Sequence, residues 1–435
     1  MKKINTIIAL AVPAMIENIL QTVVGFVDIL FVSKLGLNEV TAVGVANTVL
    51  AVYIAVFMAI GVGSSSLIAR NVGSGDLERA KSIARQSTII SAIFGLLFGI
   101  VTLFFNEPLL QLMGAKSSVL KDAAIYFKIV AIPSVFISLM FIFGSILRAA
   151  GDTKTPMKIS WWINILHIGL DYVLIFGLFG NGGLGIAGAA WATVIVRLIG
   201  TITLYAYVKK SKIAFSFFDS YSKKHSSSIL KLSIPVAIER LIMRLGQVLY
   251  FGLIIKIGTH TYAAHSIAGN IETFSYMPGY GLAIAATTLV GQSFGAKRFK
   301  EAYQYGIITM WISVVFMTFI GMLLYIFAPW LAMWFTTDKE AVSMVVTALR
   351  IDAFAQPATA VGVVLAGALQ GMGDTKSPMY STAIGMWVIR VLGVYVLGIH
   401  FEMGIAGVWL SIAIDLYVRA MFLLYKFRKN KRLAY

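Results

Sequence analysis

The stretch GDTKTPM (Gly151–Met157) returns as GDTKSPM (Gly373–Met379), identical at six of seven positions and displaced by 222 residues. Working outward, the same displacement aligns VPAMIE (Val12–Glu17) with IPVAIE (Ile234–Glu239), Lys34-Leu35-Gly36 with Lys256-Ile257-Gly258, and Gly73 with Gly295. Further on, GIAG at Gly185–Gly188 recurs at Gly404–Gly407, the offset shortened to 219 by a small deletion. Chance similarity between apolar segments gives scattered Leu and Val matches. Here Gly, Pro, Asp and Lys recur in order, so the chain is a duplication.

What is duplicated is a membrane unit. Hydrophobic residues make up 59% of the chain and charged residues 13%, about half the charge an ordinary globular protein carries. Val40–Ala69, Ser87–Phe105, Ile129–Leu147, Tyr172–Val196, Thr273–Ala296, Ala302–Thr337 and Ala353–Gly373 contain no Asp, Glu, Lys or Arg. Lipid admits only helices or closed barrels, and these runs lack the alternating polarity of barrel strands. Twelve spans are expected near 7–33, 44–69, 86–106, 124–147, 157–179, 184–208, 230–256, 265–291, 303–329, 349–370, 379–399 and 404–425. The opening MKKINTIIALAVPAMIENIL resembles a signal peptide, but it has no small-residue cleavage site and its apolar stretch continues to Val32, so it reads as a retained first span. Zero cysteines leave no disulfide framework.

Net charge of +17 does not point to nucleic acid, because the basic residues sit in loops between spans. With a cytoplasmic N-terminus, inner segments hold 24 of the 36 Lys and Arg, and outer segments and rims hold seven. That bias puts both termini inside. Each half then has six spans, so both halves share one orientation about an axis along the membrane normal. Secondary transporters use such repeats, rocking one against the other around a substrate. The expected organisation is a six-helix lobe over 1–208, a basic cytoplasmic linker over 209–229 containing SYSKKHSSS (Ser220–Ser228), and a second lobe over 230–435 with a basic tail.

A carboxylate inside the bilayer is costly unless paired or hydrated, which makes it a functional candidate. Asp28 lies near the middle of the first span, with Gln21 and Glu17 on the same helical stripe. Asp171 sits just inside the fifth span, with His167 one turn before it and Asn164 seven residues before it, and Thr193 in the sixth span adds a hydroxyl. The duplicate half keeps neither Asp: Asp28 maps to Tyr250, and Asp171 to Gly393 or Arg390. A merely architectural pair would have been kept by both halves. The coupling-cation site is therefore expected in the N-terminal lobe, from Asp28, Asp171, His167, Asn164, Thr193 and Gln21.

The duplication, the first-span QTVVGFVDILFVSKLG (Gln21–Gly36), the paired GDTKxP loops and LDYVLIFG (Leu170–Gly177) together resemble the multidrug and toxic compound extrusion (MATE) family over essentially the whole chain. The resemblance implies a V-shaped pair of six-helix lobes and a cation-coupled antiporter that exports organic cations. It also implies that a NorM-like branch binds sodium through second-lobe carboxylates at positions that are Met243 and Thr359 here. The pattern looks closer to the DinF-like branch, where a first-span Asp and a fifth-span Asn-x-x-x-Asp carry the cation; His167 replaces that Asn. An imidazole is a poor sodium ligand and a good proton carrier, so protons are expected over sodium, which stays possible at Asp28 and Asp171.

Other charges read more plainly. Asp415 and Arg419 are expected to pair, Asp352 and Arg350 to be solvated at a rim, and Glu239 to join Arg240 and Arg244 in an interhelical cluster. Glu272, Glu239 and Tyr250 are candidate substrate contacts in the second half. In the GDTK loops, Gly permits a left-handed helix end, Asp152 and Asp374 cap the next helix, and Pro156 and Pro378 open it. Two alternatives fit less well. A lipid-linked precursor flippase of the same wider superfamily would need a more cationic cavity than five in-span arginines supply, and a major-facilitator transporter would carry a basic signature that NVGSGDLERAK (Asn71–Lys81) lacks. No nucleophile–base pair, metal-ligand spacing or cofactor motif is present, so a monomeric transporter without cofactor, in the cell membrane, is expected rather than an enzyme.

Overall fold

The computed structural model describes residues 2–177, 182–216 and 223–429. Every regular element among these residues is helical: α1 (Lys2–Ser33), α2 (Leu37–Ser74), α3 (Leu77–Leu112), α4 (Ser117–Ala131), α5 (Ser134–Ala149), α6 (Lys154–Phe176), α7 (Ile186–Lys210), α8 (Lys223–Ile257), α9 (Thr259–Gly295), α10 (Phe299–Met333), α11 (Lys339–Gly371), α12 (Lys376–Ala383) and α13 (Gly404–Lys429). The expected eleventh span begins as α12 and continues through two π-helical stretches, Ile384–Val391 and Val394–His400.

Nine of the described helical segments are long and apolar enough to cross a membrane. The fourth expected span, 124–147, is not one straight helix: α4 and α5 meet at a bend of 49°. Pro133 stands at that break; it lacks an N–H and its ring clashes with the preceding turn. The remaining two, α8 and α9, have 35 and 37 residues. Each is long enough to span, but α8 carries Lys231, Glu239, Arg240, Arg244 and Lys256, and α9 carries Glu272 among His, Thr, Asn and Tyr. Twelve membrane-length segments result. Large apolar side chains such as Phe104, Trp162, Val315 and Phe354 stand exposed along them, as a lipid-facing surface requires.

The described chain divides into two compact units. A first unit comprises Ile19–Val72 and Asp76–Ala237; a second comprises Met1–Asn18, Gly73–Gly75 and Ile238–Tyr435. The N-terminal half of α1 belongs to the second unit because Ile7 and Ala11 pack with Leu282, Ala285, Val364 and Leu423. The start of α8 belongs to the first, where Ile229 joins the core around Ile68, Ile83 and Ile146. Part of the expected linker is already helix, since α8 starts at Lys223, while residues 217–222 lie outside the described residues.

The repeat is written into the backbone. Gly151 and Gly373 both adopt positive φ, at 95° and 89°, and Gly185 and Gly404 share a φ of 57°. Asp152 Oδ1 accepts from the Thr155 amide at 3.0 Å and Asp374 Oδ1 from the Ser377 amide at 2.9 Å, so both aspartates cap the following helix as expected. A Cβ at Gly373 meets the left-handed penalty of about 1–2 kcal/mol. Gly373→Ala is expected to lower stability by roughly that amount, measured as the thermal midpoint in detergent; an unchanged midpoint would show the turn relaxes freely.

A candidate cation site

The functional candidates of the first half come together on α1 and α6. Asp28 is held there by Phe31, one turn on, whose ring meets Tyr172 and Phe176 of α6 edge-on at 6.2 and 6.0 Å. His167 and Asp171, four apart on α6, face the same way. His167 Nδ1 lies 4.0 Å from Asp28 Oδ2, and Nε2 lies 3.6 Å from Asp171 Oδ2. One ligand atom from each of the three falls within 4.8 Å of the others, an arrangement able to hold a small cation. The Asp171 side chain is 1% exposed and that of Asp28 31% exposed, so the site is closed at one carboxyl and open at the other.

Thr193 of α7 adds its hydroxyl at 3.3 Å from His167 Nε2, while donating to the Ala189 carbonyl at 2.9 Å. No N–H or O–H among the described residues donates to either oxygen of Asp171; its carboxyl faces that of Asp28 instead. Two ionised carboxylates this close repel each other unless a proton or cation lies between them. The imidazole therefore sits as a bridge between one accessible and one enclosed carboxyl.

Two expected members are not hydrogen-bonded into the trio among the described residues. Gln21 is exposed and makes no hydrogen bond to the three, and Asn164 lies half-buried with its Nδ2 lacking an acceptor among the described residues. The stripe on α1 also divides, because Glu17 belongs to the second unit and Asp28 to the first. Conversely, sequence reading passed over Tyr126 and Arg197. Buried Tyr126 of α4 comes within hydrogen-bond reach of Thr193 and acts electrostatically on both aspartates. Arg197, one turn beyond Thr193 on α7, acts on Asp28 and His167. The four-residue spacing from Thr193 was a legible sign of Arg197; Tyr126, on a helix with no other polar partner for the site, gave none.

The second-half candidates lie in a separate polar network within the second unit. Asp415 pairs with Arg419, as expected, at 2.6 Å, and also takes Arg390 Nε at 2.8 Å. Tyr250 is buried with its ring 5.7 Å from the Arg390 guanidinium. Glu239 accepts from Thr382 at 2.9 Å and has Arg240 and Arg419 in electrostatic range. Arg244 is not in that cluster; it is exposed and donates to Gln247. Glu272 lies in the field of Arg390. Asp352 contradicts the expectation of a solvated rim: it is 1% exposed, because α11 begins at Lys339 and places it more than three turns inside the helix.

Comparison with known proteins agrees with this architecture. A family model described as MatE matches the chain twice, over residues 13–173 and 235–396. The chain is 31% identical to a probable multidrug resistance protein NorM of Thermotoga maritima, over 98% of this chain and 92% of that one. It is 30% identical to an uncharacterized transporter, YisQ, of Bacillus subtilis, over 98% and 95%. Among solved structures, an outward-facing multidrug resistance MATE family transporter of the MOP superfamily superposes with a TM-score of 0.93 at 26% identity, covering 98% of this chain and 96% of that one. A MOP superfamily transporter from Pyrococcus furiosus, described as having a binding pocket of reverse polarity that suggests a different function, gives 0.93 at 27% identity, covering 99% and 96%.

Proposed function

Given that the chain belongs to the MatE family of membrane transporters, we propose that it is a secondary active multidrug efflux antiporter, exporting organic cations in exchange for protons by alternating access. Relatives named for multidrug resistance support the drug-like substrate. The observation that carries the coupling is the Asp28–His167–Asp171 arrangement. A proton arriving at the accessible Asp28 has both the His167 imidazole and the enclosed Asp171 carboxyl within reach. Taking it up removes the repulsion between the carboxyls and alters the hold of α6 on α1. That difference in binding between states is what biases a two-state equilibrium.

His167 supports protons over sodium, since an imidazole nitrogen is a weak ligand for a hard cation. The lack of carboxylates at Met243 and Thr359 supports a site of the DinF-like kind, with the coupling ion in the N-terminal repeat half. In this reading the halves 1–208 and 230–435 are the moving lobes, joined by a cytoplasmic linker. The protein works as a monomer in the plasma membrane with both termini inside, and Glu272, Glu239 and Tyr250 contribute to the substrate path.

The test is reconstitution into vesicles with a pH gradient or a sodium gradient imposed separately. Efflux of a cationic dye is expected to follow the pH gradient and to ignore sodium. Dye movement driven by sodium alone would sink the proton assignment.

A further inference from the structure

The second unit holds a buried carboxyl that the coupling cycle above does not use. Asp352 Oδ2 accepts from Gln356 Nε2 at 2.7 Å, and the same Nε2 lies 3.2 Å from Ser275 Oγ on α9. Asp352 Oδ1 has no donor among the described residues, and neither does Gln356 Oε1 have a partner, although both residues are 1% exposed. The carboxyl is thus tethered through one oxygen to a neutral amide, with the other oxygen aimed into the protein and unmet.

The surrounding charges decide what that oxygen needs. Glu272 of α9 and Arg390 of the π-helical stretch act on Asp352 itself. Through Arg390 the network extends to His265, Tyr250, Asp415 and Arg419, and through Arg419 to Glu239 and Arg240, while Tyr417 of α13 donates to the Phe354 carbonyl. On α10, Tyr325 turns to Phe354 and to Arg350 of α11. Asp415 engages both Arg390 and Arg419 directly, and Arg240 offsets Glu239. One guanidinium charge is therefore surplus, against two remaining carboxylates, Glu272 and Asp352. His265 does not supply the missing charge: it is enclosed by the rings of Tyr250, Phe251 and Trp409, and its Nδ1 has no acceptor among the described residues. A surplus negative charge away from water is strongly disfavoured unless neutralised. Glu272 and Asp352 act on each other, and Arg390 reaches both, but Asp352 alone of the two is bonded to a neutral partner and buried to 1%.

We propose that Asp352 is a second proton-binding carboxyl, in the C-terminal half and separate from the Asp28–Asp171 site, holding its proton on Oδ1 while Gln356 anchors Oδ2. The proton joins the carboxylate oxygen without any other bond changing, so neutralisation needs only exchange with water or with Glu272. The assignment does not depend on proton coupling at Asp28.

Infrared difference spectra of the full-length protein in lipid, taken between light and heavy water, detect protonated carboxyls by their C=O stretch. With Asp28→Asn and Asp171→Asn already present, those carboxyls are silent. Adding Asp352→Asn is expected to remove one carboxyl's share of the exchange-shifted band, and Asp352→Glu to retain it. Gln356→Leu is expected to move the band without removing it, because the donor to Oδ2 is gone. A band untouched by Asp352→Asn overturns the proposal, and so does a band that added sodium abolishes at fixed pH. Where Asp352→Asn does not fold, the Gln356→Leu spectrum decides: a moved band supports the site and an unmoved one overturns it.

Discussion

Asp28→Asn is expected to end uphill, proton-driven efflux while leaving the protein folded in the membrane. The amide keeps the volume of the carboxyl but takes up no proton, so the accessible end of the Asp28–His167–Asp171 bridge no longer loads. A proton passing down one pH unit releases about 1.4 kcal/mol, equivalent to a tenfold concentration ratio. In a one-for-one exchange the unmodified protein should therefore sustain roughly a tenfold dye gradient per pH unit, and the variant should sustain none. Folding should survive, because Asp28 is the more exposed of the two carboxyls and α1 is fixed by Phe31 against Tyr172 and Phe176 instead. The measurement is accumulation in vesicles under an imposed pH gradient, with thermal unfolding of the same preparation as the check on fold. A variant that still builds the gradient would remove Asp28 from the coupling machinery.

The duplication and the helical class were legible because Gly, Pro and Asp in turns answer to local chemistry: the φ of Gly151 and Gly373 and the caps from Asp152 and Asp374 follow from residue type alone. The pairing of Asp28 with Asp171 was legible for a related reason, since an acid in a span demands company. Periodicity shows which residues share a face, however, not what that face meets. Gln21 and Asp28 share a stripe, yet Gln21 is left exposed. The burial of Asp352 was hidden by its neighbour Arg350, which made the pair look like a rim although Arg350 turns to Tyr325. The bend at Pro133 was open to reading from the missing N–H. The π-helical turns of 384–400 were not, because an apolar run has the same appearance whether its bonds close over four residues or five.

Removing the carboxyl of Asp415 is expected to cost more stability than any other single change in the second unit. Asp415 is fully buried, and among the described residues it bonds both Arg390 and Arg419, through Nε of each and Nη2 of the latter, at 2.6–2.8 Å. Room for this triad exists because residue 385 is glycine; a Cβ there would collide with Asp415 Oδ1 and Arg419 Nε. Asp415→Leu leaves two guanidinium groups, each about nine-tenths enclosed, without their shared counter-charge. Breaking a buried pair in this way typically costs about 3–5 kcal/mol, and here the loss falls on two partners at once. The same physics predicts rescue: combining Asp415→Leu with Arg390→Met and Arg419→Met removes all three charges, and an apolar replacement of comparable volume is often neutral. Thermal unfolding in detergent should therefore show a severe loss in the single variant and recovery of most of it in the triple. If the single variant unfolds at the original temperature, the arginines have found water or other partners, and the triad is not what holds α13 against the π-helical segment. If the triple is as unstable as the single, the loss comes from packing around residue 385 and not from charge.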